Sequence, residues 1–193
     1  MALAESKSTN GERGFSLAET LVATALLATA LVGTAQMFAL STRYNLSSRT
    51  TTHATVLAQE KMEQLRALSW GIDELGLPVS DFTTNLQNDP PGDDGIGLTP
   101  SPLMSLASNT VGYVDFLDPH GVNLVNDGVS VPNGTLYIRR WAVEPLPTNP
   151  NNTLVLQVFA FRIGARPDAG AEALVNRMPH EARLTSVKTR KAP

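Results

Sequence analysis

Residues 20–42 contain no Asp, Glu, Lys or Arg, and this charge-free run limits what the chain can fold into. Of its 23 residues, 15 are apolar, including Leu21, Val22, Leu26, Leu27, Leu31, Val32, Met37, Phe38 and Leu40. As a helix rising ~1.5 Å per residue it extends about 34 Å, enough to cross a hydrocarbon core of about 30 Å. A buried core helix of this composition needs protein cover on every side, and a chain of 193 residues has little material to supply it. A cleaved secretory signal has a shorter apolar region, about 7–15 residues, although Ala28-Thr29-Ala30 would mimic its cleavage site. The run predicts a membrane-spanning helix.

Composition narrows the function. With 15 Lys+Arg against 18 Asp+Glu and a net charge of −3, the chain lacks the basic excess of proteins that bind nucleic acid by bulk charge. The absence of cysteine excludes thiolate metal sites, a cysteine nucleophile and disulfides. The charged fraction, 17%, lies below the ~25% of typical soluble domains, and the deficit is concentrated in the N-terminal third.

A glutamate, Glu19, stands just before the charge-free run. A charge at the centre of a bilayer costs about 2.5–3.5 kcal/mol on insertion scales and less near the interface, so Glu19 needs a partner or a role. Its neighbours suggest one. The string Gly14-Phe15-Ser16-Leu17-Ala18-Glu19-Thr20 resembles the signature of type IV prepilins. That resemblance implies a leader over residues 1–14, a transmembrane and assembly helix over 15–42, and an extracytoplasmic globular domain over 43–193. It implies that a prepilin peptidase cuts after Gly14 and methylates the amine of Phe15, and that Glu19 acts in assembly. The Glu19 carboxylate of one subunit would meet the Phe15 amine of a neighbour, two buried charges each needing the other. The implied partners are the prepilin peptidase, other pilins or pseudopilins, an inner-membrane assembly platform and membrane lipid. The implied location is the inner membrane, single-pass with the C-terminal domain outside the cytoplasm, then a cell-surface pilus or periplasmic pseudopilus. Charge alone says little about sidedness, because Lys7 and Arg13 are accompanied by Glu5 and Glu12, and Arg43 and Arg49 follow the run.

The helix is predicted to continue past the membrane, over 15–68. No proline precedes Pro78, and Gly33 is the one glycine between Gly14 and Gly71. Gly33 is also the weakest helical point and falls in line with Ala25 and Thr29, small residues at four-residue spacing that permit close helix approach. Ala54, Leu57, Ala58, Met62, Leu65 and Leu68 recur at three- and four-residue spacing and form an apolar stripe. Glu63 and Arg66 are placed to pair on the polar side.

Residues 69–110, with Pro78, Pro90, Pro91, Pro100 and Pro102, predict a long loop region interrupted at most by short elements. Strands are predicted over 111–117, 136–143 and 153–163, with a return over 122–125 and a last edge strand over 183–188. Leu154, Leu156, Val158 and Ala160 form one apolar strand face. The Pro- and Asn-rich link 144–152 predicts a hairpin. The expected fold is α+β, a long helix laid on an antiparallel sheet of about four strands whose apolar face buries the 54–68 stripe.

The segment from Thr55 to Arg66 and the later Tyr137-Ile138-Arg139-Arg140-Trp141 resemble minor pilins and type II secretion minor pseudopilins. The missing C-terminal disulfide loop of major pilins agrees with a minor subunit. Other sites carry little. His53, His120 and His180 lack metal-ligand spacing. No Gly-x-Ser-x-Gly elbow occurs. Asp89, Asp93 and Asp94 form an acidic cluster, but Pro91 occupies a position where a calcium loop needs a ligand. Gly95-Ile96-Gly97 is a fragment of a phosphate loop, and Lys188, Arg190 and Lys191 make a basic tail. The expectation is a structural subunit without cofactor, metal or catalytic residues. The other expectation kept open is a singly anchored envelope protein that binds a ligand and never polymerises. Replacing Gly14 with leucine is expected to leave residues 1–14 attached, measured as the intact mass of the membrane form.

Overall fold

The structure, a computed structural model, describes residues 14–88, 90–164 and 181–191. By internal contacts the chain divides into two units, Met1–Asn45 and Leu46–Pro193. Helix α1 runs from Leu17 to Ala67, within a residue or two of the predicted 15–68. It begins at Ser16, whose Oγ and carbonyl both accept from the Glu19 N–H, at 3.2 and 3.0 Å. The Oγ bond is one half of a Ser-x-x-Glu capping box, and the carbonyl bond closes the first turn of the helix. It ends where Lys188 donates its ammonium to the Arg66 carbonyl, satisfying one of the carbonyls that the last turn leaves open.

The globular unit contains a small hairpin, β1 (Trp70–Ile72) with β2 (Pro78–Ser80), and a four-stranded antiparallel sheet. The sheet strands are β3 (Val114–Leu117), β4 (Tyr137–Pro145), β5 (Thr153–Arg162) and β6 (Glu181–Thr189), in that spatial order. The α+β architecture is therefore the one the residue pattern predicts. The 144–152 link closes the expected hairpin, with Trp141 opposite Val158 and Pro145 opposite Leu154. Strand β6 is the predicted edge, longer by two residues at one end and one at the other.

The helix-facing side of the sheet joins Leu154, Leu156, Val158 and Ala160 to Ala54, Leu57, Ala58, Met62 and Leu65 in one core, with Trp141 and Val143 from β4. Leu68, the last residue of the stripe, is half-buried against it. The opposite side is covered as well. Val114, Phe116, Ile138, Phe159 and Phe161 form a second core there, packed under Leu106 from the 100–110 loop. Arg140 pins that loop by donating to the Leu106 and Ala107 carbonyls and to Asn109 Oδ1.

Two predicted strands change form. The 111–117 strand starts only at Val114, because residues 110–113 turn, with Tyr113 N–H on the Thr110 carbonyl and Gly112 at φ 81°. The 122–125 return forms a single bridge, Leu117 with Asn123, and not a strand. There the Asn123 side chain takes the Phe116 N–H at 3.1 Å, a bond that a ladder carbonyl would otherwise accept. The turn between them is as read: Asp118 Oδ1 accepts from the N–H groups of His120 and Val122 at 2.7 and 2.9 Å. Gly121 is required in it, since its φ is 87° and a Cβ would meet Leu57 Cδ2 at 2.9 Å.

Truncating Leu156 or Leu65 to alanine is expected to cost about 2–5 kcal/mol, whereas Val187→Ala, 61% exposed on the edge strand, should stay within about 0.5 kcal/mol. Chemical denaturation of the full chain in mild detergent measures both.

Candidate assembly segment and a buried ion cluster

The segment that carries the family-like motif lies at the start of α1. Gly14, Phe15 and Ser16 precede the helix without regular secondary structure, and Phe15 is 78% exposed. Glu19 occupies the third helical position, in the first turn. An acid there is favoured by the unpaired N–H groups of the helix start. Its carboxylate makes no hydrogen bond or ion pair among the described residues. Gly14 and Glu19 are thus brought to one helix end, where residue 19 takes part in the cap through its backbone N–H and leaves its carboxylate unengaged among the described residues.

The following turns are apolar on all sides and have no cover among the described residues of their unit. Leu21, Val22, Leu26, Leu27, Leu31, Val32, Met37, Phe38 and Leu40 are all exposed. Length and composition make this stretch a candidate membrane span. Its threonines do not break the apolar surface. Thr20, Thr24, Thr29, Thr34 and Thr42 turn their hydroxyls back onto carbonyls three or four residues earlier, at 2.8 to 2.9 Å. Each hydroxyl is satisfied inside its own helix, as lipid surroundings require.

In the globular unit the helix meets the sheet through a group of charges. Asp115 on β3 stands directly opposite Arg139 on β4, both on the helix-facing side. Arg139 donates to Asp115 Oδ2 from Nε at 2.9 Å and lies 2.8 Å from it through Nη2. Arg139 Nη1 reaches the helix, donating to the Leu57 carbonyl at 2.9 Å and to Glu60 Oε2 at 3.2 Å. Lys61 closes the cluster from the helix, 2.9 Å from Asp115 Oδ2, with its ammonium over the Trp141 ring at 4.5 Å and on the Leu86 carbonyl. Lys61, Asp115 and Arg139 are buried. Burial pushes the Lys61 ammonium down from 10.5 to about 8; Asp115 pulls it back up, and the Arg139 charge pushes it further down.

Arg139 entered the sequence reading only as part of a resemblance, and Glu60, Lys61 and Asp115 were not singled out as a charge cluster, although a signal was present. Lys61 falls on the apolar stripe, between Ala58 and Leu65 at spacings of three and four. Asp115 and Arg139 fall at inward positions of strands, beside Leu117 and Trp141. A charge at an inward position of an otherwise apolar pattern marks a buried ion pair.

The remaining candidates are scattered. His53 packs its ring 4.9 Å from Tyr137, and His120 sits on an exposed turn. Asp93 and Asp94 are exposed in a loop, and no group of three or more potential metal ligands occurs among the described residues. Asp89 and His180 lie outside the described residues. Glu63 and Arg66 pair at 3.1 Å on the exposed side, as expected. Comparison with protein-family models, curated proteins and solved structures finds no match to this chain.

The cluster predicts an asymmetric response to substitution. Asp115→Asn leaves two buried cations facing a single half-exposed acid and is expected to cost about 3–5 kcal/mol. Lys61→Met removes a charge whose burial is unfavourable and should be near neutral at pH 7. The pH dependence follows from the same shift. Below pH 8 Lys61 is protonated in both states and the penalty is present in full. Between about 8 and 10.5 the unfolded chain holds more protons than the folded one, so stability rises with pH, by an amount of order 3 kcal/mol. Unfolding titrations across that range should lose the rise in the Lys61→Met variant.

Proposed function

We propose that this protein is a prepilin-like minor subunit of a type IV pilus or a related type II secretion pseudopilus. In this reading a prepilin peptidase cuts after Gly14, Phe15 is methylated, and the chain waits in the inner membrane with its sheet unit outside the cytoplasm. An assembly platform then draws it into a filament with other pilins or pseudopilins. The observation that carries the reading is a helix whose first half is exposed among the described residues and is headed by Glu19, four residues after Phe15. Such a surface suits two successive environments, lipid before assembly and a bundle of like helices after it. The back-bonded threonines support both, since they leave no hydroxyl in need of a partner.

Within a filament, the Phe15 amine freed by cleavage and Glu19 of an adjacent subunit would neutralise each other away from water. Losing either leaves the other buried and unpaired, at a cost of several kcal/mol. N-terminal sequencing and mass analysis of the mature protein test the processing step. A methylated Phe15 is the expected first residue; an intact Met1, or cleavage near Gln36, overturns it in favour of a singly anchored or secreted protein. For assembly, Glu19→Val and Glu19→Gln should both insert in the membrane normally and both enter filaments poorly. Glutamine keeps a polar third-position side chain at the helix start but removes the charge. Normal incorporation of Glu19→Gln would mean that Glu19 serves only its own helix.

A further inference from the structure

A half-open cleft of about 460 Å³ lies on the globular unit, bounded by the second half of α1, the turn at 85–88 and the loop at 121–126. Its size falls within the ~300–1,000 Å³ of small-molecule sites. Side-chain amides dominate its wall, and they divide into two groups. Asn123 and Gln87 are committed to the fold: Asn123 donates to the Gln87 carbonyl at 2.8 Å, and Gln87 Nε2 donates to the Val114 carbonyl at 3.0 Å. These bonds tie the cleft wall to β3. The second group has capacity to spare. Gln64 Oε1 is buried and takes no hydrogen bond among the described residues. Asn85 accepts from the Gln87 N–H through Oδ1 at 2.9 Å, which leaves its Nδ2 unused among the described residues. Asn88 is exposed on the same turn, with no hydrogen bond of its own among them. Glu60 is held through Oε2 by Arg139 at 3.2 Å, with Oε1 unused and the residue side chain 43% exposed.

We propose that this cleft binds a neutral, polyhydroxylated ligand, a short saccharide. A hydroxyl group is both donor and acceptor, and the wall offers unused acceptors, Gln64 Oε1 and Glu60 Oε1, beside unused donors on Asn85 and Asn88. The two formal charges of the wall, Glu60 and Arg139, already pair with each other, so no net charge selects for an ionic ligand. Gln64 lines the cleft and is only partly buried, so a turn of its amide toward the opening would let a ligand hydroxyl relieve Oε1, a buried acceptor whose isolation costs about 1–3 kcal/mol. Val122 and Val125, exposed at the cleft, supply apolar surface for the C–H faces of a sugar ring. The inference is independent of the filament reading, because every group it uses belongs to the globular unit.

The test uses the full-length protein in a zwitterionic detergent without a sugar headgroup. Maltotriose, cellotriose and chitotriose are titrated separately to about 10 mM, a range that detects millimolar affinity, and saturation-transfer NMR reads contact with the sugar protons. At least one trisaccharide is expected to give a saturable signal. Gln64→Leu and Asn88→Ala should each weaken it about tenfold, the effect of one lost hydrogen bond of about 1.4 kcal/mol. Asn151→Ala, on the remote β4–β5 turn, should leave it unchanged. Asn88 is exposed, so its variant keeps the test valid even where Gln64→Leu unfolds, which circular dichroism reads. No signal from any of the three sugars overturns the proposal. So does binding that both folded variants leave intact, or a stronger signal from trialanine at the same concentration.

Discussion

One carboxylate oxygen, Asp115 Oδ2, organises the junction between helix and sheet. It receives Arg139 from the neighbouring strand and Lys61 from the helix, each within 3 Å, while Arg139 continues to the Leu57 carbonyl and to Glu60. An apolar stripe laid on an apolar sheet can slide by a turn at little cost, because hydrophobic contact is not directional. A buried charge cannot, since a displaced Lys61 or Arg139 would lose its partner in a medium that gives no water in exchange. The cluster therefore sets the register of α1 on the sheet, and the surrounding leucines and valines supply the bulk of the burial.

The same helix meets two kinds of surroundings along its length. From Ala54 to Leu65 its apolar residues are covered by the sheet, but from Leu21 to Leu40 they are exposed among the described residues. An uncovered apolar surface of that extent is unstable in water and must be met by lipid or by other helices. The threonine hydroxyls, each folded onto its own backbone, make either neighbour acceptable. In the proposed function, membrane insertion and lateral assembly would draw on this one surface property, and Glu19 at the head of the helix would distinguish between them.

The sheet gains its stability from both faces. Its helix side was legible from Leu154, Leu156, Val158 and Ala160, which alternate with period two. Its outer side was not, because Thr153 and Gln157 share that face with Phe159 and Phe161 and give it the mixed look of a solvated face, while the cover comes from Leu106 in a loop rich in Ser and Pro. The loop is held by Arg140, a residue that composition would leave at the surface. Long-range cover of this kind has no local signature, since loop residues carry no periodicity to align with a strand.

The extent of α1, the strands at β4 and β5, the hairpin between them and the edge strand β6 followed from local pattern, because periodicity and the absence of proline act within a few residues of each other. The motif at Gly14, Phe15 and Glu19 was equally local. What only the tertiary structure decided was partnership between distant residues: Lys61 with Asp115 and Arg139, Asn123 standing in for a ladder carbonyl, and unspent amides from residues 64, 85 and 88 gathered on one cleft. Each of these depends on which segments the folded chain brings together, and a sequence pattern specifies faces and periods but not the opposite member of a contact.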